Sequence, residues 1–173
     1  MVEHKQKSSS MTAKLILFFV LRTKGHITKV QLVKFLYLAD LYAVKWLGQQ
    51  ITDLEWVLYR HGPWEENIQA HLERMDGKEI TQCSQLGGAV LIQIGPSAPS
   101  EDNLKLPESM KLMLDNIRRE WAGSGSQNLN NLLQYVYNTA PMKDVLSRGC
   151  SPEERQPLNL FKEREKLSQE LMV

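Results

Sequence analysis

The chain is poor in the residues from which dedicated chemistry is usually built. Only two cysteines occur in 173 residues, Cys83 and Cys150, with no CxxC pair and no His/Cys grouping at zinc-ligand spacing. That excludes a disulfide-framed scaffold and suits a reducing cytosol. Long apolar runs are scarce too. The run "LILFFVL" at residues 15–21 ends at Arg22, too short for a membrane span and with no small-residue cleavage site behind it. It reads as a core helix of a soluble, cytoplasmic protein. No GxGxxG, Walker, HExxH, GxSxG or paired-carboxylate motif is present, so the residues point away from an enzyme and name no cofactor or metal.

What is present is an average globular composition, 42% hydrophobic and 24% charged, at a length that suits one domain. The net charge of +1 hides an asymmetry. Residues 1–34 hold seven Lys/Arg (5, 7, 14, 22, 24, 29, 34) against Glu3, or +6, which leaves −5 for the remainder. A basic N-terminal third admits a reading as a nucleic-acid-binding regulator. These cations are scattered among apolar residues without interleaved aromatics, a pattern that a solvated face explains as well.

The patterning predicts a helix from Met11 to Lys24, stopped near Gly25, and a second from Thr28 to Leu47. Thr28 with Gln31 forms a capping-box pattern, and Gly48 supplies the stop. Alternation in "LEWVLYRHG" predicts a strand over 54–62, after which Gly62-Pro63 opens a helix at Trp64. "EITQCSQ" and "AVLIQIG" read as a hairpin, "PESMKLMLDNIRREWA" and "NLNNLLQYVYNTAP" as helices, the latter closed by Pro141. Leu129, Leu133, Val136 and Tyr137 form its expected core stripe, and residues 158–171 an amphipathic helix. The fold class is therefore α+β, mostly α, with a small antiparallel sheet of about three strands and a winged-helix-like element as the alternative theme. Residues 1–10 read as a flexible N-terminus, 11–149 as the domain and 150–173 as a tail.

Asp40 is the anomaly. It lies in "KFLYLADLYAVKWLG" with Val33, Leu36 and Val44 on its side of the helix, and Lys34 and Lys45 point elsewhere. Burying an unpaired carboxylate is costly, so a partner must come from another segment. Arg60 and His61, in the turn "YRHGPW", are the expected partners. A catalytic version, with Asp40 orienting His61 as a base, lacks a nucleophile beyond Cys83 or an unplaced serine, so a structural clasp is preferred. Trp64, Tyr135 and Tyr137 are core residues by default, and candidates for partner binding where an edge is exposed.

The ordered stretches "ITKVQLVKFLYLAD", "GQQITDLEWVLYRHGPW" and "LLQYVYNTAP" resemble the Panacea domain of SocA-like antitoxins. Leu32, Lys34, Leu36, Tyr37, Ala39 and Asp40 fit its first element, and Gly48, Ile51, Tyr59, Gly62 and Pro63 its second. Tyr137 and Pro141 fit a third loosely. His61 and Trp64 depart from the residues the family usually places around Gly-Pro. The resemblance covers about residues 12–147 and leaves the tail outside. It implies a non-enzymatic antitoxin that binds a toxin encoded beside it, and in one branch delivers that toxin to the ClpXP protease.

Overall fold

One apolar helix that must be covered on every side sets the arrangement of everything else. The computed structural model describes residues 2–123 and 125–172. The first half folds as α1 (Val2–Arg22), β1 (Ile27–Thr28), α2 (Lys29–Leu47), β2 (Val57–Tyr59), β3 (Gly62–Trp64) and α3 (Glu66–Met75). The second half adds β4 (Ile80–Ser84), β5 (Val90–Ile94), α4 (Glu108–Trp121), α5 (Ser126–Tyr137), α6 (Ala140–Ser147) and α7 (Phe161–Leu171).

Helix α2 is the covered one. Thr28 and Gln31 close its first turn reciprocally, the Gln31 N–H donating to Thr28 Oγ1 at 3.2 Å and the Thr28 N–H to Gln31 Oε1 at 3.0 Å. Gly48, at φ +83°, ends it by donating its N–H to the Val44 carbonyl. Every residue from Gln31 to Leu41 is buried, which no amphipathic helix on a surface could tolerate. Helices α1, α4, α5 and α7 supply the cover, Phe19 of α1 meeting Phe35 with ring centroids 5.2 Å apart.

The strands make a three-stranded antiparallel sheet, ordered β1-β5-β4, and a separate two-stranded ribbon, β2-β3. This is the α+β, mostly helical class that the patterning predicts. Several details differ from the sequence reading. The strand expected from Leu54 begins only at Val57, because residues 49–56 wrap back onto α2. Gly62-Pro63 does not open a helix; it forms the return strand of the ribbon, with Pro63 opposite Leu58. Gly62 adopts φ +98°, which only glycine takes cheaply, so the chain reverses there. Helix α3 starts later, its first turn capped by the Glu65 carboxylate, which accepts from the Asn67 N–H at 3.0 Å. Ile27–Thr28 supplies the sheet's third strand.

Pro141 opens α6 rather than merely closing α5, since a first turn needs no N–H from it. Within α5 the fully buried pair is Leu132 and Val136, while Leu129, Leu133 and Tyr137 are half-buried. The C-terminal segment is tied in closely. Residues 156–158 run beside β2, the Leu58 N–H donating to Gln156 O at 2.8 Å and the Leu158 N–H to Trp56 O at 2.9 Å. Leu158 and Leu160 enter the core. Arg164 of α7 donates to the carbonyls of Val44 and Lys45, at 3.4 and 3.1 Å, where the C-terminal end of α2 favours a cation.

Candidate functional site

Asp40 has no exposure to solvent, and its carboxylate accepts five hydrogen bonds from the loop that follows its own helix. Oδ1 accepts from the N–H groups of Ile51 and Thr52, both at 3.0 Å. Oδ2 accepts from Thr52 Oγ1 at 2.5 Å, Trp56 Nε1 at 2.9 Å and Gln50 Nε2 at 3.1 Å. Burial pushes the Asp40 carboxyl upward, and the donors from Thr52, Trp56 and Gln50 oppose that shift.

The clasp exists, but Arg60 and His61 are not its partners. Both are exposed near the turn of the β2-β3 ribbon, and the Arg60 guanidinium lies 5.6 Å from the ring centroid of neighbouring Tyr59. The physical reason is chain economy. Residues 50–56, just after the helix, can saturate a carboxylate with neutral donors, so no distant cation has to be desolvated. Gln50, Thr52 and Trp56 were the signal, although Trp56 read as one step of a strand alternation.

Lys34, Tyr37 and Asp40 are three apart on α2, winding over about 120° of its surface. Each spends its polar atom on a different segment. Lys34 is buried and donates from Nζ to Pro63 O at 2.8 Å. Burial without a carboxylate pulls its ammonium down to about 7. The Tyr37 hydroxyl meets Thr139 Oγ1 at 2.8 Å while its ring packs edge-on to Trp56, centroids 5.5 Å apart. Burial raises the Tyr37 phenol. A Cβ on Gly62 would lie 3.6 Å from the Tyr137 ring and 3.8 Å from Lys34 Cε, so the ribbon's turn, α2 and the end of α5 meet there. Together the three ties hold the loop, the ribbon and the α5–α6 junction onto α2.

The remaining named residues fall in two places. Tyr59 and Trp64 lie on the ribbon, with ring centroids 6.4 Å apart. Tyr59 carries the Arg155 guanidinium 4.7 Å from its centroid, and Trp64 has Lys29 Nζ at 5.6 Å. Tyr135 is elsewhere, stacked on Trp121 at 4.9 Å and hydrogen-bonded to the Tyr42 hydroxyl at 2.7 Å. His61 and Cys83 are not brought together as a pair: the first sits in the ribbon, the second opposite Leu91 in the other sheet. Among the described residues, no three His, Cys, Asp or Glu side chains are grouped to hold a metal ion.

A family model described as the antitoxin SocA-like Panacea domain matches residues 32–135. The chain belongs to that family. No curated protein matches it. The matched Panacea segment begins inside α2 and ends inside α5, so it contains Lys34, Tyr37, Asp40, the wrapping loop and the ribbon. It leaves out Thr139 and all of α7, which complete the enclosure of α2 in this chain. Among the described residues of this Panacea protein, no helix is long and apolar enough to cross a membrane.

Three of the basic residues of its N-terminal third are engaged within the fold. Arg22 is paired with Glu101 at 2.7 Å and Asp115 at 3.3 Å, Lys29 is hydrogen-bonded to Gln69, and Lys34 is buried.

Proposed function

We propose that this chain is a cytoplasmic antitoxin that binds a protein toxin encoded beside it and neutralises that toxin by direct contact. Membership of the SocA-like Panacea family supports the antitoxin role. The structural observation that supports it is that Lys34, Tyr37 and Asp40 of α2 are each engaged in an internal tie that holds another segment in place. In this reading the three side chains serve the fold, and recognition falls to the surface that their ties shape. Delivery of the bound toxin to ClpXP is the variant of the same role, with binding as its first step. Residues 11–149 together with the docked tail act as one binding unit in this reading.

The test is co-expression. The protein specified by the neighbouring reading frame is induced alone and then with this chain. Growth arrest in the first case and growth in the second support the role, whereas a neighbour that arrests growth equally in both overturns it. Repeating the rescue in cells lacking ClpX separates the variants, since direct blocking survives there and delivery does not.

A further inference from the structure

A groove of about 880 Å³ opens between the wrapping loop, the β3–α3 junction and the C-terminal segment. The Asp40 clasp builds one of its walls, because Gln50, Thr52 and Trp56, the side chains bound to Asp40, all line it. Its electrostatics are lopsided. Asp53, Glu55, Glu65 and Glu66 line it, with Arg155 the one cation among the described lining residues. In a chain whose formal charge is +1, that concentrates anionic field in one concavity. Glu65 registers the crowding: burial first, and then the charges of Glu55 and Asp53, push its carboxyl upward, against the lowering effect of Asn67. Apolar contact area is also on offer. Phe161, 51% exposed, and half-buried Trp64 lie along the same groove.

The rim already shows how this surface treats a guanidinium. Arg155 lies over the Tyr59 ring at 4.7 Å and pairs with Glu66. Aromatic stacking with a carboxylate fork suits arginine in particular, whose planar cation is weakly hydrated. We propose that this groove is the toxin-binding face, and that it receives a cationic, Arg- or Lys-bearing segment of the toxin with an apolar residue seated against Phe161. The proposal rests on the antitoxin reading and names its surface. It disfavours a nucleic-acid occupant, since phosphates would meet a lining with more acids than bases.

The probe is the purified protein of the neighbouring reading frame, titrated by calorimetry against the full chain and its variants. Glu55→Arg and Phe161→Ala each change an exposed side chain, and thermal melts are run to check that both remain folded. Each is expected to weaken binding about tenfold or more, and wild-type affinity is expected to fall as salt rises. Trp46→Ala and Leu112→Ala, on the exposed apolar face between α2 and α4, are expected to bind as wild type. Unchanged affinity for the two groove variants, binding indifferent to salt, or losses confined to Trp46→Ala and Leu112→Ala overturn the groove while leaving the antitoxin role standing. Failure of the wild-type chain to bind overturns both.

Discussion

Replacing Asp40 tests whether a buried carboxylate works as a clasp or as a reactive group. In Asp40→Ala five donors lose their acceptor at once, two of them backbone N–H groups and one an indole N–H in the core. Leaving a buried donor unpaired costs about 1–3 kcal/mol, but the loop can relax and admit water, so the sum is not reached. A loss of about 3–5 kcal/mol is expected, the cost of two or three neutral donors that stay unpaired after such relaxation. Asp40→Asn separates the two oxygens. Its amide oxygen can keep the Ile51 and Thr52 N–H bonds, while its NH2 faces Thr52 Oγ1, Trp56 Nε1 and Gln50 Nε2. The hydroxyl can rotate to accept, but the other two are donors only, which puts the cost at about 2–4 kcal/mol. Urea denaturation of both variants gives these numbers, and toxin rescue is measured at a temperature where each is folded. Rescue is expected to track the folded fraction. Denaturation midpoints unchanged from wild type in both variants would refute the clasp.

Lys34 gives a pH signature. Its ammonium falls from 10.5 in the unfolded chain to about 7 in the fold, so the unfolded state holds the extra proton between those values and stability rises with pH across that window, by up to about 5 kcal/mol. Lys34→Met is expected to be the more stable protein below pH 7, with the advantage vanishing toward pH 10; parallel denaturation profiles with a constant offset would contradict this. Gly62→Ala meets only ordinary contact distances at Tyr137 and Lys34, so its cost is the positive φ alone, about 1–2 kcal/mol by thermal unfolding. Ending the chain after Gly149 strips Leu158, Leu160 and α7 from the core and is expected to cost about 4–6 kcal/mol; an unchanged urea midpoint would show the tail to be dispensable.

The helical skeleton was legible because its signals are local. Thr28 and Gln31 announce a start, Gly48 a stop, and the apolar density between them a buried helix. Asp40 was legible as an anomaly, since a carboxylate amid Leu and Val needs an explanation wherever it occurs. Its partners were not, because hydrogen-bonding capacity in "QQITDLEW" carries no periodicity, and a cation twenty residues away looked the stronger match. The ribbon was misread for a related reason. Gly-Pro is punctuation in either a hairpin or a helix start, and only the register of Pro63 against Leu58 decides between them. The groove was invisible, because its walls come from residues 49–66 and 155–161, whose convergence depends on the tail returning to β2.

That return has a consequence for the order of events during synthesis. The contact from Arg164 to Val44 spans 120 residues, so α2 is made early and covered late. Until the segment around Leu158 to Arg164 leaves the ribosome, a largely apolar helix has no lid on its α7 side, and the stretch that closes one wall of the groove is not yet in place. A ribosome that stalls short of that point releases a chain that is sticky and without a finished groove, a natural client for chaperones and proteases. The groove is thus finished only once residues 155–161 have emerged and returned to β2.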